Sequence, residues 1–370
     1  MREHATPEGT RRYAGRFAGR AAPEYFCEAD PAGGLVMSSI GIGTYLGDPD
    51  ARTDTAYTEA VVAAVRGGIN VIDSAINYRF QRSERSIGAA LRQLESEGFQ
   101  RDELVICTKA GYLTPDGDMP ADPGVYFRDE YLARGIVAPE DVAGGSHCMT
   151  PRYLEDQLAR SLRNLGVDCV DVFYLHNPET QLSVVSRGDF AARVRAAFAF
   201  LESMVAAGKI RFYGMATWNG FRQPQQAAEH VSLEAMCALA REAGGDGHHF
   251  RFVQLPFNLA MPEAFAFANQ ALDGRNVSMA EAAHALGVSL VGSASLLQAQ
   301  LTRNLPPVIA EVLGLDTDHE RALQFARSAP GMTTALVGMS RVEHVAANLR
   351  LREVPPAAPE QFLQLFEQAR

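Results

Sequence analysis

Short apolar runs rich in β-branched residues recur along this chain. After most of them comes a stretch in which apolar positions return every three or four residues. The first pattern suits a strand buried on both faces, the second an amphipathic helix. Eight strands are predicted, at 37–43, 70–74, 104–109, 169–175, 210–216, 251–255, 289–293 and 334–338. Helices are predicted over 55–66, 83–94 and 191–206, and from Thr150-Pro151 onward, a hydroxyl cap before a proline at the first helical position. In that last helix Leu154, Leu158, Leu162 and Leu165 make one stripe that stops at Gly166.

Eight continuous apolar strands alternating with helices imply parallel pairing. Closure into an α/β (β/α)8 TIM barrel explains the count better than an open sheet does. No linker divides the chain, so the pattern predicts one domain over 35–370, after an N-terminal extension at 1–34. That extension carries five arginines in its first twenty residues and no apolar core of a signal peptide, and is expected to be solvated. One spacing is anomalous. The 111–150 stretch, after the third strand, is long and rich in Gly, Pro and Asp, with Tyr112, Tyr126, Phe127 and Tyr131. It must emerge at the strand ends where barrels carry their chemistry, and reads as a substrate-side lid rather than a disordered excursion. After Pro355-Pro356 a short tail with Phe362, Leu363 and Phe366 forms one more amphipathic helix.

Composition narrows the function. The formal charge of −10 is the wrong sign for a chain that neutralises nucleic-acid phosphates. No apolar run is long enough to span a bilayer. The five cysteines (Cys27, Cys107, Cys148, Cys169, Cys237) are scattered, with no C-x-x-C pair, as expected of reduced thiols in the cytoplasm. A small molecule is therefore the expected partner. Metal is not expected. The first strand offers Gly41-Ile42-Gly43 where a metal-dependent barrel hydrolase would want histidines, and His147-Cys148 and His248-His249 are expected on solvated loops.

Chemistry gathers at the strand ends. Asp73 ends the second strand, with Tyr78 five residues on; Lys109 ends the third and His176 the fourth. An aspartate there is often only a turn cap, and a lone histidine often structural. Lys109 is harder to set aside: only two of the 34 basic side chains are lysines, and an amine closing an apolar strand needs a partner. Together the four make a proton-transfer device. An ammonium stabilises the phenolate of Tyr78, Asp73 holds the ammonium, and His176 orients a carbonyl beside the phenol.

At these residues the chain resembles the aldo/keto reductases. The likeness runs from Met37 to about Leu351 and is carried by Gly41-Ile42-Gly43-Thr44-Tyr45, Asp73-x4-Tyr78, Ser83-Glu84-Arg85-Ser86-Ile87-Gly88, Lys109, the 162–176 stretch ending Asp171-Val172-Phe173-Tyr174-Leu175-His176, and Gly208-Lys209-Ile210-Arg211. The resemblance implies Tyr78 as general acid, Lys109 lowering its pKa, Asp73 supporting Lys109 and His176 positioning a carbonyl. It implies NADPH as hydride donor, with NADH as the alternative, since no side chain supplies hydride.

Cofactor residues implied by the same resemblance are Thr44 and Tyr45 beside the nicotinamide, Asp73, Thr217 and Gln254 near its carboxamide, and Asn348 at the adenine. Ser295, Gly338, Ser340 and Arg341 would hold phosphate where a helix opens after the last strand. Tyr45, Tyr112 and Trp218 would line the substrate pocket. Departures from the family pattern are Ala216-Thr217 where Ser-Asn is usual, Ala294 where an aromatic commonly stacks, and Gly338 and Ala347 around the adenine phosphate. These altered positions leave a second reading open, a barrel that binds NADP(H) and regulates with little catalysis. A metal-dependent hydrolase is the third.

Overall fold

The computed structural model describes residues 4–367; the outermost three residues of the predicted 1–34 and 35–370 segments lie outside that range. Twelve strands occur among them: β1 (Phe26–Ala29), β2 (Leu35–Ser38), β3 (Ile40–Gly43), β4 (Val71–Asp73), β5 (Val105–Ala110), β6 (Val170–His176), β7 (Ile210–Ala216), β8 (Phe250–Pro256), β9 (Gln270–Leu272), β10 (Arg275–Val277), β11 (Ser289–Ser293) and β12 (Met332–Gly338). Eight of them close a barrel in the order β3-β4-β5-β6-β7-β8-β11-β12, every neighbour parallel. This is the (β/α)8 arrangement, and the seven strands after the first are those the apolar runs predict. The first predicted strand, 37–43, is in fact two. β2 pairs antiparallel with β1, and the chain turns at Ser39 before β3 enters the barrel.

The predicted helices form with small shifts, at Ala51–Gly67, Arg82–Ser96, Pro151–Leu165 and Arg187–Ala206. The Leu stripe of the third packs inward, and its end is the left-handed Gly166, φ 67°. Gly88 lets the helix at 82–96 approach this neighbour closely, since a Cβ there would sit 2.5 Å from the Asn164 carbonyl oxygen. Adjacent Glu84 is buried and joins three elements, accepting from Thr108 Oγ1 at 2.6 Å and Asn164 Nδ2 at 3.0 Å. The Ser83–Gly88 motif is thus scaffold for β5.

The N-terminal segment is not a solvated lead-in. A helix at Pro7–Gly15 buries Tyr13, whose hydroxyl donates to the Val65 carbonyl at 2.5 Å. Arg12 and Arg16 pair with Asp102 and Glu103. Ala5, Leu35 and Met37 pack with inward-facing Val71, Val105, Val172 and Phe252 to floor the barrel. The Ala5 amide donates to Asp171 Oδ1 at 2.6 Å, while Asp171 Oδ2 takes the Ile106 amide and Arg101. The floor is a stitched plug.

The 111–150 stretch is also built, with a helix at Pro123–Phe127 running on into a wider turn at Arg128–Leu132. Tyr131 is buried, donates to the Thr114 carbonyl and packs on Tyr126, Phe127 and Tyr153. Its aromatics therefore serve its own small core. Only Tyr112 turns toward the strand-end residues. At the C-terminus, Phe362 of the helix Pro359–Glu367 is buried between Phe265 and Phe325.

Candidate active site

β4 and β5 lie side by side, and the pairing continues past the end of β4: the Ser74 amide donates to the Cys107 carbonyl and the Ile76 amide to the Lys109 carbonyl. This carries the chain from Asp73 to Tyr78 directly over Lys109. The Lys109 side chain is fully buried, and its Nζ donates to both Asp73 oxygens (2.8 Å to Oδ2), to the Ser74 carbonyl at 2.7 Å and toward the Tyr78 hydroxyl at 3.4 Å. Three N–H groups face four acceptors, so the ammonium is fully engaged. A cluster of hydroxyls fixes the opposite side of Asp73, with Thr44 Oγ1 donating to its backbone carbonyl at 2.9 Å and Ser83 Oγ donating to Thr44 Oγ1 at 2.6 Å.

The electrostatics follow from burial. Desolvation works against the Lys109 charge, but Asp73 and Tyr78 outweigh it and raise its pKa. Burial pushes Asp73 up, with Lys109 and Gln254 pulling it back. Burial also raises the Tyr78 phenol, and Lys109 offsets part of that rise. The net direction for Tyr78 is upward, opposite to what the ammonium alone would give. The phenol therefore rests protonated, and Lys109 reduces the cost of its phenolate. His176 is driven well below its ordinary range by burial, Lys109 and His147, so its ring is neutral. Its ring lies 5.8 Å from that of Tyr78, edge to face, and its Nδ1 is 3.2 Å from Asn77 Oδ1.

All four strand-end residues thus come together. Around them Tyr45 is 57% exposed with its ring against Tyr78, Tyr112 meets the His176 ring edge-on, and Trp218 is 45% exposed. Gln254, expected at a carboxamide, instead donates to Asp73 Oδ2 at 2.9 Å. The Thr44 and Ser295 hydroxyls are engaged by protein carbonyls, of Asp73 and Leu336. Thr217 differs: its buried Oγ1 has no partner among the described residues. Gly338 is exposed at the end of β12, Ser340 is half-buried, and Asn348 is buried on the helix Val342–Leu349. Arg341 contacts His344 and has no carboxylate partner among the described residues.

The chain matches the profile of the aldo/keto reductase family over residues 39–368. It belongs to the aldo/keto reductase family. A D-threo-aldose 1-dehydrogenase from Pseudomonas sp is 29% identical over 189 residues, covering 50% of this chain and 52% of the relative. An NADH-specific methylglyoxal reductase from Escherichia coli (strain K12) is 27% identical over 188 residues, 49% of each. The chain spans about half the length of these curated relatives. A solved aldo/keto reductase from Klebsiella pneumoniae, in complex with NADP and acetate, shares the fold with TM-score 0.60 and 20% identity, covering 94% of this chain and 95% of the other.

Three features of this family member escape sequence reasoning. Arg79, Phe80 and Gln81, immediately after Tyr78, all have positive φ (48°, 56° and 71°) with no glycine to announce the turn. The turn is held by the Arg79–Asp54 ion pair, by Arg79 over the Tyr57 ring at 4.7 Å, and by Gly117 donating to the Phe80 carbonyl. Glu179 is buried, and its Oε1 accepts from the Trp218, Asn219 and Gly220 amides at 2.7, 3.0 and 3.3 Å, pinning the loop that follows Thr217. His147 and His248 are buried rather than solvated, and His249 pairs with Glu202. Among the described residues no helix is long and apolar enough to cross a membrane.

Proposed function

We propose that this chain is an oxidoreductase that interconverts a small carbonyl compound and its alcohol with NADPH, NADH being the alternative donor. The observation that carries the reading is the fully engaged Lys109 ammonium between Asp73 and the Tyr78 hydroxyl. The residues around it fit a nicotinamide dinucleotide. Thr217 Oγ1, a buried hydroxyl with no partner among the described residues, is suited to a carboxamide. Exposed Gly338 with Ser340, Arg341 and the start of the helix at 342–349 suits phosphate, Tyr45, Asp73 and Ser295 follow or end barrel strands, and Asn348 lies near the end of that helix. When bound, the nicotinamide supplies or accepts hydride.

The protein's own part is proton movement and orientation. Tyr78 gives its hydroxyl proton to the carbonyl oxygen as charge develops there, and Lys109 stabilises the phenolate left behind. His176 steadies the same oxygen by donating from Nε2. Nδ1 faces Asn77 Oδ1 at 3.2 Å, so donation from Nε2 of a neutral ring goes with a flip of the Asn77 amide that presents its nitrogen to Nδ1 instead. In the reverse direction the phenolate takes the alcohol proton. Tyr45, Tyr112 and Trp218 make a partly apolar wall for the substrate, and the 111–150 segment serves as the wall's outer support. The thiols of Cys27, Cys107, Cys148 and Cys237 form no disulfide among the described residues, which suits a reducing cytoplasm.

The regulatory reading is opposed by the intact set of four. The test is a fluorescence titration with NADPH and NADH beside a panel of aldehydes and ketones. Turnover is expected, and cofactor binding without any turnover refutes the catalytic reading. Arg341→Ala is expected to weaken NADPH about 10-fold, a charge-assisted contact, and NADH little.

A further inference from the structure

We propose that His147, on the 111–150 segment, is a positioning residue for His176, holding the carbonyl of the catalytic histidine's own backbone. The inference rests on the reading of His176 given above. β5 and β6 pair in register up to Ala110 opposite Leu175, and there β5 leaves the sheet. The carbonyl of His176 loses the strand that would have served it. The His147 ring fills that vacancy, its Nε2 2.7 Å from the His176 carbonyl oxygen.

The ring has one usable protonation state. A carbonyl only accepts, so Nε2 carries the hydrogen, and Nδ1 accepts from Gln181 Nε2 at 2.8 Å. Burial keeps the imidazole neutral, its pKa lowered to about 4. Gln181 is fixed in turn, donating also to the His147 carbonyl and accepting from Arg193 at Oε1. The backbone of His147 is clamped to Ala143 in both directions, and the following Cys148 amide donates to the Gly111 carbonyl. The histidine therefore cannot swing away without breaking a closed set of bonds. His147 itself is 1% exposed.

Two neighbours tie the arrangement to the site. Tyr112 sits edge-on to both imidazoles, at 5.2 Å from His147 and 5.3 Å from His176. Gly111 leaves the gap through which the bond passes: a Cβ there would lie 2.4 Å from the His176 carbonyl oxygen and 2.8 Å from His147 Nε2. The long segment thus braces the catalytic ring from below through its backbone, and Tyr112 braces it from the side.

The experiment compares His147→Ala and His147→Gln in the full chain. Removing the donor is expected to lower kcat about 10- to 100-fold, the scale set by small displacements of a reacting group. The dissociation constant for NADPH, read by fluorescence, should stay within about 2-fold, because His147 touches no cofactor residue. Glutamine can present an N–H at similar reach and should restore most of the rate. An unchanged kcat in the alanine variant overturns the proposal, as does a glutamine variant that binds NADPH normally but stays as slow as alanine. Nitrogen-15 NMR of the imidazoles supplies a readout free of turnover. The His176 ring signals should shift in the alanine variant and return in the glutamine one; unmoved signals overturn the positioning role. A wild-type protein inert toward every carbonyl, with shifted His176 signals, would instead count against the carbonyl-reductase reading alone.

Discussion

Lys109 Nζ stands 3.4 Å from the Tyr78 hydroxyl, farther than from any of its other partners. The short bonds go to Asp73 and Ser74, so the ammonium is held by the scaffold and merely faces the phenol. This division suits a group that must respond when phenolate charge appears, because the bond to Tyr78 has room to tighten.

Replacing the phenol or the amine should therefore have different signatures. Tyr78→Phe removes the proton donor and is expected to lower kcat by about 100- to 10,000-fold, the usual worth of general acid catalysis, with NADPH affinity retained. Lys109→Met leaves the Asp73 carboxylate buried without its cation and should cost stability as well as rate. Steady-state kinetics beside thermal unfolding separates the two. A phenylalanine variant with wild-type turnover would remove Tyr78 from the mechanism.

Glu179 is expected to act through the loop it pins. Its Oε1 gathers three backbone amides beyond Thr217, and hydrogen bonds to a charged group contribute about 1.5–3 kcal/mol each. Glu179→Ala should loosen Trp218 and the Thr217 hydroxyl, weakening NADPH about 10-fold or more in a fluorescence titration. Affinity equal to wild type would dissociate this loop from the cofactor.

Stability should fall in mild acid. His147 is held to about 4 by burial, against an ordinary value of 6.5. Between those values the unfolded chain binds a proton that the folded ring refuses, so folding free energy declines as pH drops through that window and is intact above it. A shift of this size corresponds to about 3 kcal/mol. Urea unfolding at pH 7.5 and pH 5 should reveal the decline, and His147→Gln should make it shallower. An equal slope in both proteins would mean that His147 does not carry it.

Much of this was legible in the sequence. Barrel strands buried on both faces write themselves as apolar runs, and polar side chains at strand ends are easy to place once the strands are counted. The meeting of Asp73, Tyr78, Lys109 and His176 was readable for that reason. The double strand at 37–43 was not, because both halves are apolar and only the turn at Ser39 divides them. The N-terminal arginines look solvated until Asp102 and Glu103 are seen opposite them. Glu179, Asn77 and His147 make their contacts across 29 to 99 residues, in part to backbone amides, and local pattern carries no trace of either.

The plug beneath the barrel has a consequence for how the chain comes together. Ala5 reaches its acceptor on Asp171 across 166 residues. During synthesis the hairpin of β1 and β2 must wait, apolar side chains uncovered, until half the staves have left the ribosome. Such distant closure is slow by nature, and this earlier-made part of the vessel can be sealed in only when its walls exist.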